Sequence, residues 1–183
     1  MSGQEGTKRL TRKAMLSMLS KLDEKLEGFQ RKIRFYCLGG TIIVLDQKRH
    51  SSKDVDFIVS RQDYTAISGM LKELERSEKV PIDIFQDGII GYYTLPNYVN
   101  RSKLLPYAFK HIELYALNKI DLLLTKAIAG REHDLDDMAR IATPKDVPRE
   151  VLEKRYNEII PEEEKKEQLR AMFDKSLAQF YKK

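Results

Sequence analysis

The sequence predicts an α+β fold, in which an α/β part over residues 1–115 is followed by a helical part over residues 116–183. Two observations lead to this prediction. In the first part, short apolar runs typical of strands alternate with helix-spaced apolar residues, whereas the second part shows helical spacing only. Gly130, Pro148 and Pro161 divide the second part into separate helices.

The predicted helices have apolar residues three and four positions apart, and the predicted strands are short apolar runs bounded by glycine, proline or polar residues. The first part begins with a helix from Leu10 to Ile33, followed by strands Ile33–Leu38 and Asp54–Val59 with a helical segment Thr41–Leu45 between them. A helix Gln62–Ser77 and a strand Val80–Phe85 come next, and a Gln-Asp-Gly turn then leads into a returning strand. The part ends with a loop Leu95–Pro106 and a strand Lys110–Tyr115. In the second part they are helices Leu117–Ile128, Asp134–Ile141, Val151–Ile160 and Glu162–Tyr181.

Composition restricts the class of protein. The only cysteine, Cys37, excludes an internal disulfide and is typical of a reducing cytoplasm. We expect no membrane association, because no apolar run reaches the length of a membrane span and no signal peptide is recognised. The net charge of +5 gives the protein a mild preference for phosphate-bearing partners.

Two adjacent glycines follow the first predicted strand. Gly39 and Gly40 have no Cβ, so their backbone amides can come close to a bound anion. Thr41 opens the helical segment that follows, where its hydroxyl can cap the helix and the helix dipole favours phosphate. The pattern indicates either a phosphate-binding turn or a turn with a structural role only.

Three aspartates lie in predicted apolar strands. Asp54 and Asp56 are two residues apart, which points both carboxylates to the same face of one strand. Asp83 lies between two isoleucines, on a strand that can pair beside the first. Neighbouring carboxylates repel each other unless a cation binds between them, and Mg²⁺ prefers carboxylate and phosphate oxygens. The sequence therefore predicts a metal site next to the glycine pair.

Together these motifs resemble the nucleotidyltransferase superfamily with a polymerase-beta-like palm: Gly-Gly, thirteen residues, Asp-Val-Asp, then Ile-Asp-Ile. The resemblance implies a mixed β-sheet with flanking helices, an NTP substrate and two Mg²⁺ ions, with Mn²⁺ as an alternative. The residues that it assigns to the triphosphate are Gly39, Gly40 and Thr41. It assigns Asp54 and Asp56 to both metals, and Asp83 to the catalytic metal and to deprotonation of the acceptor hydroxyl.

A second resemblance covers residues 121–137, DLLLTKAIAGREHDLDD. This segment is similar to the lysine, arginine and paired-aspartate signature of AbiEii-type nucleotidyltransferase toxins and their uncharacterised relatives. The resemblance implies that Lys126 and Arg131 face the nucleotide, while Asp134 and Asp137 support the site. Pro81 stands where these toxins often have a lysine. Without the first motif, Lys126 and Arg131 would be interpreted as surface charges.

We therefore interpret the chain as a nucleotidyltransferase that moves a nucleoside monophosphate from an NTP to an acceptor hydroxyl. The acceptor is expected to be RNA, such as tRNA, a protein or a small molecule, and the family resemblance favours a toxin-like enzyme with a cognate antitoxin as a candidate partner. Two other hypotheses remain: a non-catalytic module that binds RNA or a partner protein, and a drug-modifying transferase. The adjacent carboxylates argue against the non-catalytic module, which has no need to keep repelling charges together.

Overall fold

A computed structural model of the chain describes residues 9–182. These residues form ten strands: β1 (Leu10–Thr11), β2 (Ile33–Cys37), β3 (Ser51–Ser52), β4 (Val55–Val59), β5 (Ile82–Gln86), β6 (Ile89–Ile90), β7 (Tyr93–Thr94), β8 (Lys103–Leu104), β9 (Ile112–Ala116) and β10 (Ile160–Pro161). They also form eight α-helices: α1 (Arg12–Lys25), α2 (Gly39–Leu45), α3 (Arg61–Glu78), α4 (Tyr98–Arg101), α5 (Lys119–Ala129), α6 (Glu132–Ile141), α7 (Arg149–Tyr156) and α8 (Lys166–Phe180).

The central sheet has five strands in the order β5-β4-β2-β9-β8. β4 pairs with β5 and β2 pairs with β9 in parallel, whereas the β2–β4 and β8–β9 pairs are antiparallel. Two smaller sheets flank it, one of β1 and β3 and one in the order β10-β7-β6. The mixed sheet with flanking helices confirms the predicted α+β fold class.

Alternation along β4 determines which side chains face the core. Val55, Phe57 and Val59 are buried, and Phe57 packs edge-on against Phe35 of β2 with ring centroids 5.0 Å apart. Successive side chains of a strand point to opposite faces, so Asp56 projects from the face opposite to these core residues. Ile58, on the same face as Asp56, is also buried, so both faces of the sheet are covered at β4 and the Asp56 carboxylate lies on a face that is only partly open.

The C-terminal helices pack on the α/β part. The hydrophobic core is continuous from Phe35 in the sheet to Leu123 of α5 and Phe173 of α8. α5 lies at the centre of the helical part, in contact with α6, α7 and α8, and it also contacts α2. The division into a catalytic domain over residues 1–115 and a helical part over residues 116–183 stays a prediction, and the two parts share this core.

Several predicted elements have different bounds. The first helix, predicted to reach Ile33, ends at Lys25, because the chain turns through Gly28 at a φ of +96°, which is unfavourable for residues with a Cβ. The helix predicted to end at Ile160 ends at Tyr156, and Ile160 lies in β10. The predicted loop Leu95–Pro106 contains the short elements α4 and β8. Gly130 ends α5 as expected, with its N–H bonded to the carbonyl of Lys126 at 3.0 Å.

The predicted hairpin after Phe85 is wrong. The turn at Asp87 and Gly88 exists, but β6 does not return along β5; it pairs with β7 in a separate sheet, with Ile90 opposite Tyr93. Gly91, at a φ of +59°, lies in the tight connection between β6 and β7. A left-handed conformation suits a glycine in such a turn, so the local pairing of β6 with β7 replaces the expected one.

Candidate active site

A cavity of about 510 Å³ opens beside β4 and β5, between the sheet and helices α5 and α6. Its walls contain most of the residues that the sequence singled out: Gly39, Gly40, Asp54, Asp56, Asp83, Lys126 and Arg131. Three further cations, Arg9, Arg49 and Lys53, also line it. The cavity therefore combines carboxylates and cations in one place.

The three predicted aspartates lie together. Asp54 immediately precedes β4, Asp56 is the second residue of β4, and Asp83 is the second residue of β5. In the parallel pairing of the two strands, Asp56 is directly opposite Asp83. One carboxylate oxygen from each of the three aspartates lies within 4.8 Å of the others. This is a set of hard oxygen ligands of the kind that Mg²⁺ prefers.

The environment of these carboxylates disfavours three negative charges. Burial raises the pKa of Asp56 to about 7, and the neighbouring charges of Asp54 and Asp83 act in the same direction. The pKa of Asp83 is also raised, by burial and then by Asp54. A bound cation would remove this repulsion, since an opposite charge favours the ionised carboxylates. The donor set and its electrostatics therefore fit a divalent metal ion.

Both glycines are in contact with site side chains. Gly39 has a φ of +56°, and a Cβ there would lie 2.2 Å from Oδ2 of Asp56. A Cβ on Gly40 would lie 2.3 Å from Oγ of Ser52. The sequence predicted a Gly-Gly turn before a helix; in the structure the two glycines are the first residues of α2. The absence of a Cβ at both positions allows Asp56 and Ser52 to approach the backbone.

Thr41 has a different role from the expected cap. The residue before α2 is Leu38, and no side chain caps this helix. The hydroxyl of Thr41 is fully buried and accepts a hydrogen bond of 2.7 Å from the backbone N–H of Asp56. The capping prediction is therefore wrong, because the buried hydroxyl fixes the strand that carries Asp56. The predicted contact of Thr41 with the triphosphate stays a prediction.

Lys126 joins the two helices that form the other wall. Its Nζ bonds to Oδ1 of Asp134 at 2.8 Å and to Oδ2 of Asp137 at 2.9 Å. The lysine side chain is 7% exposed, and the two aspartates are 0% and 1% exposed. Buried charges are stable only when they are paired, so this cluster holds α5 and α6 in one arrangement.

Arg131 extends the same cluster toward solvent. Its Nε donates to Oδ2 of Asp134 at 2.7 Å, while 62% of the arginine side chain is exposed. Burial acts to raise the pKa of Asp134, but hydrogen bonds from Arg131 and Lys126 outweigh it and lower the pKa. Asp134 and Asp137 are thus paired with Lys126 and Arg131, and their supporting role in the site stays a prediction.

The sequence reading missed two residues of the site. Ser52 Oγ donates to Oδ1 of Asp54 at 3.0 Å, and Arg49 Nη1 lies 3.3 Å from Oδ2 of Asp137. Both belong to the polar stretch between α2 and β4, outside the predicted motifs. No periodicity marks them; the only signal is their position between the glycine pair and Asp54.

The mixed sheet brings three aspartates next to a glycine pair in a cavity with several cations, which is the arrangement that the sequence predicted for a nucleotidyltransferase. Residues 13–181 match the family described as "Nucleotidyltransferase of unknown function (DUF6036)", and the chain belongs to this family. Comparisons with curated proteins and with solved structures found no match. The predicted nucleotidyltransferase superfamily is thereby confirmed, while the closer similarity to AbiEii-type toxins stays a prediction.

The family also gives the general enzyme class and implies an NTP as substrate. Among residues 9–182, no helix has the length and apolar character that crossing a membrane requires.

Proposed function

We propose that the protein transfers a nucleoside monophosphate from an NTP to an acceptor hydroxyl, with two Mg²⁺ ions as cofactors and Mn²⁺ as an alternative. The observation that carries this proposal is the approach of Asp54, Asp56 and Asp83 within 4.8 Å in a cation-lined cavity. Within residues 9–182 these three side chains form a group of carboxylates that could share a metal ion, and Asp56 lies against Gly39. The family supports the same chemistry.

Asp54 and Asp56 would hold both metals, and Asp83 would hold the catalytic one. When bound, such a metal pair supplies activation of the attacking hydroxyl and stabilisation of the leaving pyrophosphate. Ser52 and Thr41 keep the first two aspartates in place, through a hydrogen bond to the Asp54 carboxylate and one from the Asp56 backbone. These supports matter because misplacing a ligand by about 1 Å can abolish productive geometry.

The acceptor oxygen forms a bond to the α-phosphorus, and the bond from that phosphorus to the bridging oxygen of pyrophosphate breaks. Asp83 is the least buried of the three carboxylates and is suited to receive the proton of the acceptor hydroxyl. Gly39 and Gly40 leave room for the triphosphate beside the backbone, and Lys126 and Arg131 supply positive charge on the opposite wall.

The acceptor is proposed to be RNA, such as tRNA, or a protein, and the activity to be toxin-like with a cognate antitoxin in the cytoplasm. This part of the proposal is supported by the resemblance of residues 121–137 to AbiEii-type toxins. The net charge of +5 is compatible with a phosphate-bearing acceptor. The four signature residues all belong to one cluster of ion pairs at the cavity, in which Lys126, Asp134 and Asp137 are buried and Arg131 is exposed.

The test is to incubate the protein with each of the four NTPs, labelled at the α-phosphate, together with Mg²⁺ and either total tRNA or a whole lysate. We expect one acceptor class to become labelled by the wild type but not by the Asp56→Asn variant. Label in a tRNA band or in a protein band identifies the acceptor. If neither becomes labelled while the NTP binds, the protein is a non-catalytic binding module and the proposal is wrong.

A further inference from the structure

We propose that Arg49, in the segment between α2 and β3, binds the triphosphate of the NTP and is held in position by Asp137. This inference rests on the proposed function and deepens it, since it assigns a binding residue that neither the motifs nor the family supplied. It follows from the position of the guanidinium, from its unused hydrogen-bond donors and from the charge of the cluster that holds it.

The guanidinium lies next to Gly40. A Cβ built on Gly40 would be 3.6 Å from Nη1 of Arg49, and both residues line the cavity that contains the three aspartates. The side chain is 25% exposed, so it is partly buried but accessible from the cavity. An anion placed beside the Gly40 backbone would therefore be next to this guanidinium.

Arg49 has hydrogen-bond donors left for a ligand. It contacts Asp137 through Nη1 alone, at 3.3 Å to Oδ2 and 3.5 Å to Oδ1. No other hydrogen bond joins its guanidinium to the part of the chain that the structure describes, so Nε and Nη2 remain for a ligand. A guanidinium presents five N–H donors in a planar fork that matches phosphate oxygens.

The cluster behind Arg49 does not neutralise it. Asp137 is shared by three cations, because it also bonds to Lys126 at 2.9 Å and to Arg140 at 3.3 Å. Counting Arg131 and Asp134, four cations share two carboxylates, which leaves a net charge of +2. This excess positive charge favours an anionic ligand on the cavity side.

Asp137 makes Arg49 a preorganised binding residue. The carboxylate is 1% exposed and belongs to α6, whereas Arg49 belongs to an irregular segment. An arginine on such a segment would lose conformational freedom on binding phosphate, and a prior bond to a rigid helix reduces that loss. Asp137 is thus a positioning residue, and it links the glycine pair to the helices that carry Lys126 and Arg131.

Arg140 provides a matched control. It bonds to the same carboxylate of Asp137 at the same distance of 3.3 Å, but it lies in the last turn of α6 and does not line the cavity. Arg49→Met and Arg140→Met remove the same charge and the same type of contact to Asp137. Arg49→Lys keeps the charge and removes the planar fork.

The experiment is calorimetric titration of the full chain and its three variants with each NTP and the corresponding NMP, in Mg²⁺, after thermal melting has shown that each variant folds. We expect Arg49→Met to weaken NTP binding by roughly tenfold to a hundredfold, as for one charge-assisted hydrogen bond to phosphate. Its affinity for NMP should change less, so the preference for NTP over NMP should shrink. Arg49→Lys should lie between, and Arg140→Met should bind NTP within about twofold of wild type.

The outcomes separate this inference from the proposed function. If the wild type binds NTP and Arg49→Met binds it equally well, Arg49 is not a triphosphate ligand. Equal losses in Arg49→Met and Arg140→Met would also overturn the inference, because the effect would then act through Asp137. A wild type that binds no NTP would overturn both the inference and the proposed function. If Arg49→Met does not fold, a loss of NTP binding in folded Arg49→Lys supports the inference and unchanged binding overturns it.

Discussion

Asp56 and Asp83 are directly opposite each other in the parallel pairing of β4 and β5, with Asp54 two residues from Asp56 on the same face. Three carboxylates in this position destabilise the metal-free fold. The raised pKa of Asp56, about 7, expresses that cost, which comes first from burial and then from Asp54 and Asp83. The same arrangement becomes favourable when a cation is bound. Stability and function therefore oppose each other at these residues.

The Asp56→Asn variant tests this opposition. Because the pKa of Asp56 is about 7 in the folded protein and about 4 in the unfolded chain, ionisation costs stability as pH rises from about 4 to about 7. In a chelator at pH values above about 7, we expect Asp56→Asn to melt no lower than wild type. With Mg²⁺ and NTP the order should reverse, since ligand stabilises only a protein that binds it.

Melting curves in EDTA across this pH range, and again with Mg²⁺ plus NTP, measure both effects. Near pH 4 in EDTA the advantage of the variant should disappear, because the wild-type carboxyl is then protonated in the folded state. Equal gains in melting temperature from Mg²⁺ and NTP in both proteins would contradict the assignment of Asp56 as a metal ligand.

The approach of the three aspartates could be predicted, because the alternation of side chains along a strand follows directly from residue spacing. Asp54 and Asp56 are two residues apart on an apolar strand, so their side chains point to the same face. Asp83 is the single aspartate of a second apolar strand, which indicated that this strand lies beside the first. The nucleotide contact of Lys126 was expected only by resemblance and stays a prediction. Its ion pairs with Asp134 and Asp137 were not expected, because they join α5 to α6 across the turn at Gly130. Arg49 and Ser52 could not be predicted at all, because Arg49 lies in an irregular segment and Ser52 in a two-residue strand, and neither has a periodic pattern.

Gly39 should be intolerant of any side chain. In Gly39→Ala, the new Cβ would lie 2.2 Å from Oδ2 of Asp56, and the φ of +56° is unfavourable for alanine. We expect a loss of about 1–3 kcal/mol in stability and a strong loss of Mg²⁺-dependent NTP binding. Gly69→Ala is the control: it lies within α3 with nothing within 4 Å of the added Cβ. Gly69→Ala should raise the free energy of unfolding by about 0.5–1 kcal/mol and bind NTP as wild type does.

Urea unfolding and NTP titration of the two alanine variants measure these effects. A Gly39→Ala protein that keeps wild-type NTP affinity would show that the contact between the glycine and Asp56 has no role in the site.

Lys126 and Arg131 should differ greatly in their importance for folding. Lys126→Met removes the lysine that Asp134 and Asp137 share, while each carboxylate keeps an arginine partner. We expect a loss of about 1.5–3 kcal/mol, as for buried hydrogen bonds to charged groups. Arg131→Met removes a side chain that is 62% exposed, and Asp134 keeps its bond to Lys126, so we expect a loss of about 1 kcal/mol or less. The resemblance of residues 121–137 implied only that both side chains face the nucleotide, with no difference between them.

Chemical denaturation followed by circular dichroism separates the two variants. Similar, small losses of stability in both would mean that Lys126 does not hold α5 and α6 together. NTP binding by the folded Arg131→Met variant then reports directly on the charge that this arginine contributes to the cavity.

Asp134 should stabilise the protein only above acidic pH. Hydrogen bonds from Arg131 and Lys126 outweigh the opposing effect of burial and lower its pKa in the folded state. A carboxyl with a lowered folded-state pKa contributes stability that is fully present above the unfolded value of about 4 and is lost as pH falls through the folded value. Asp134→Asn removes this contribution. We therefore expect the variant to be clearly less stable than wild type near neutral pH, and the difference to shrink below about pH 4.

Asp136 gives the control for this pH dependence, because it is an exposed aspartate on the same helix, two residues away. Asp136→Asn should stay within about 0.5 kcal/mol of wild type at every pH, as for most surface substitutions. Urea unfolding of the three proteins between about pH 7 and pH 3 measures the difference directly. A gap between wild type and Asp134→Asn that stays constant down to the lowest pH would show that the effect is steric. A difference in stability from wild type that shrinks toward low pH for Asp134→Asn, with no such change for Asp136→Asn, would show that the ionised carboxylate stabilises this wall of the cavity. That carboxylate is the one paired with Lys126 and Arg131.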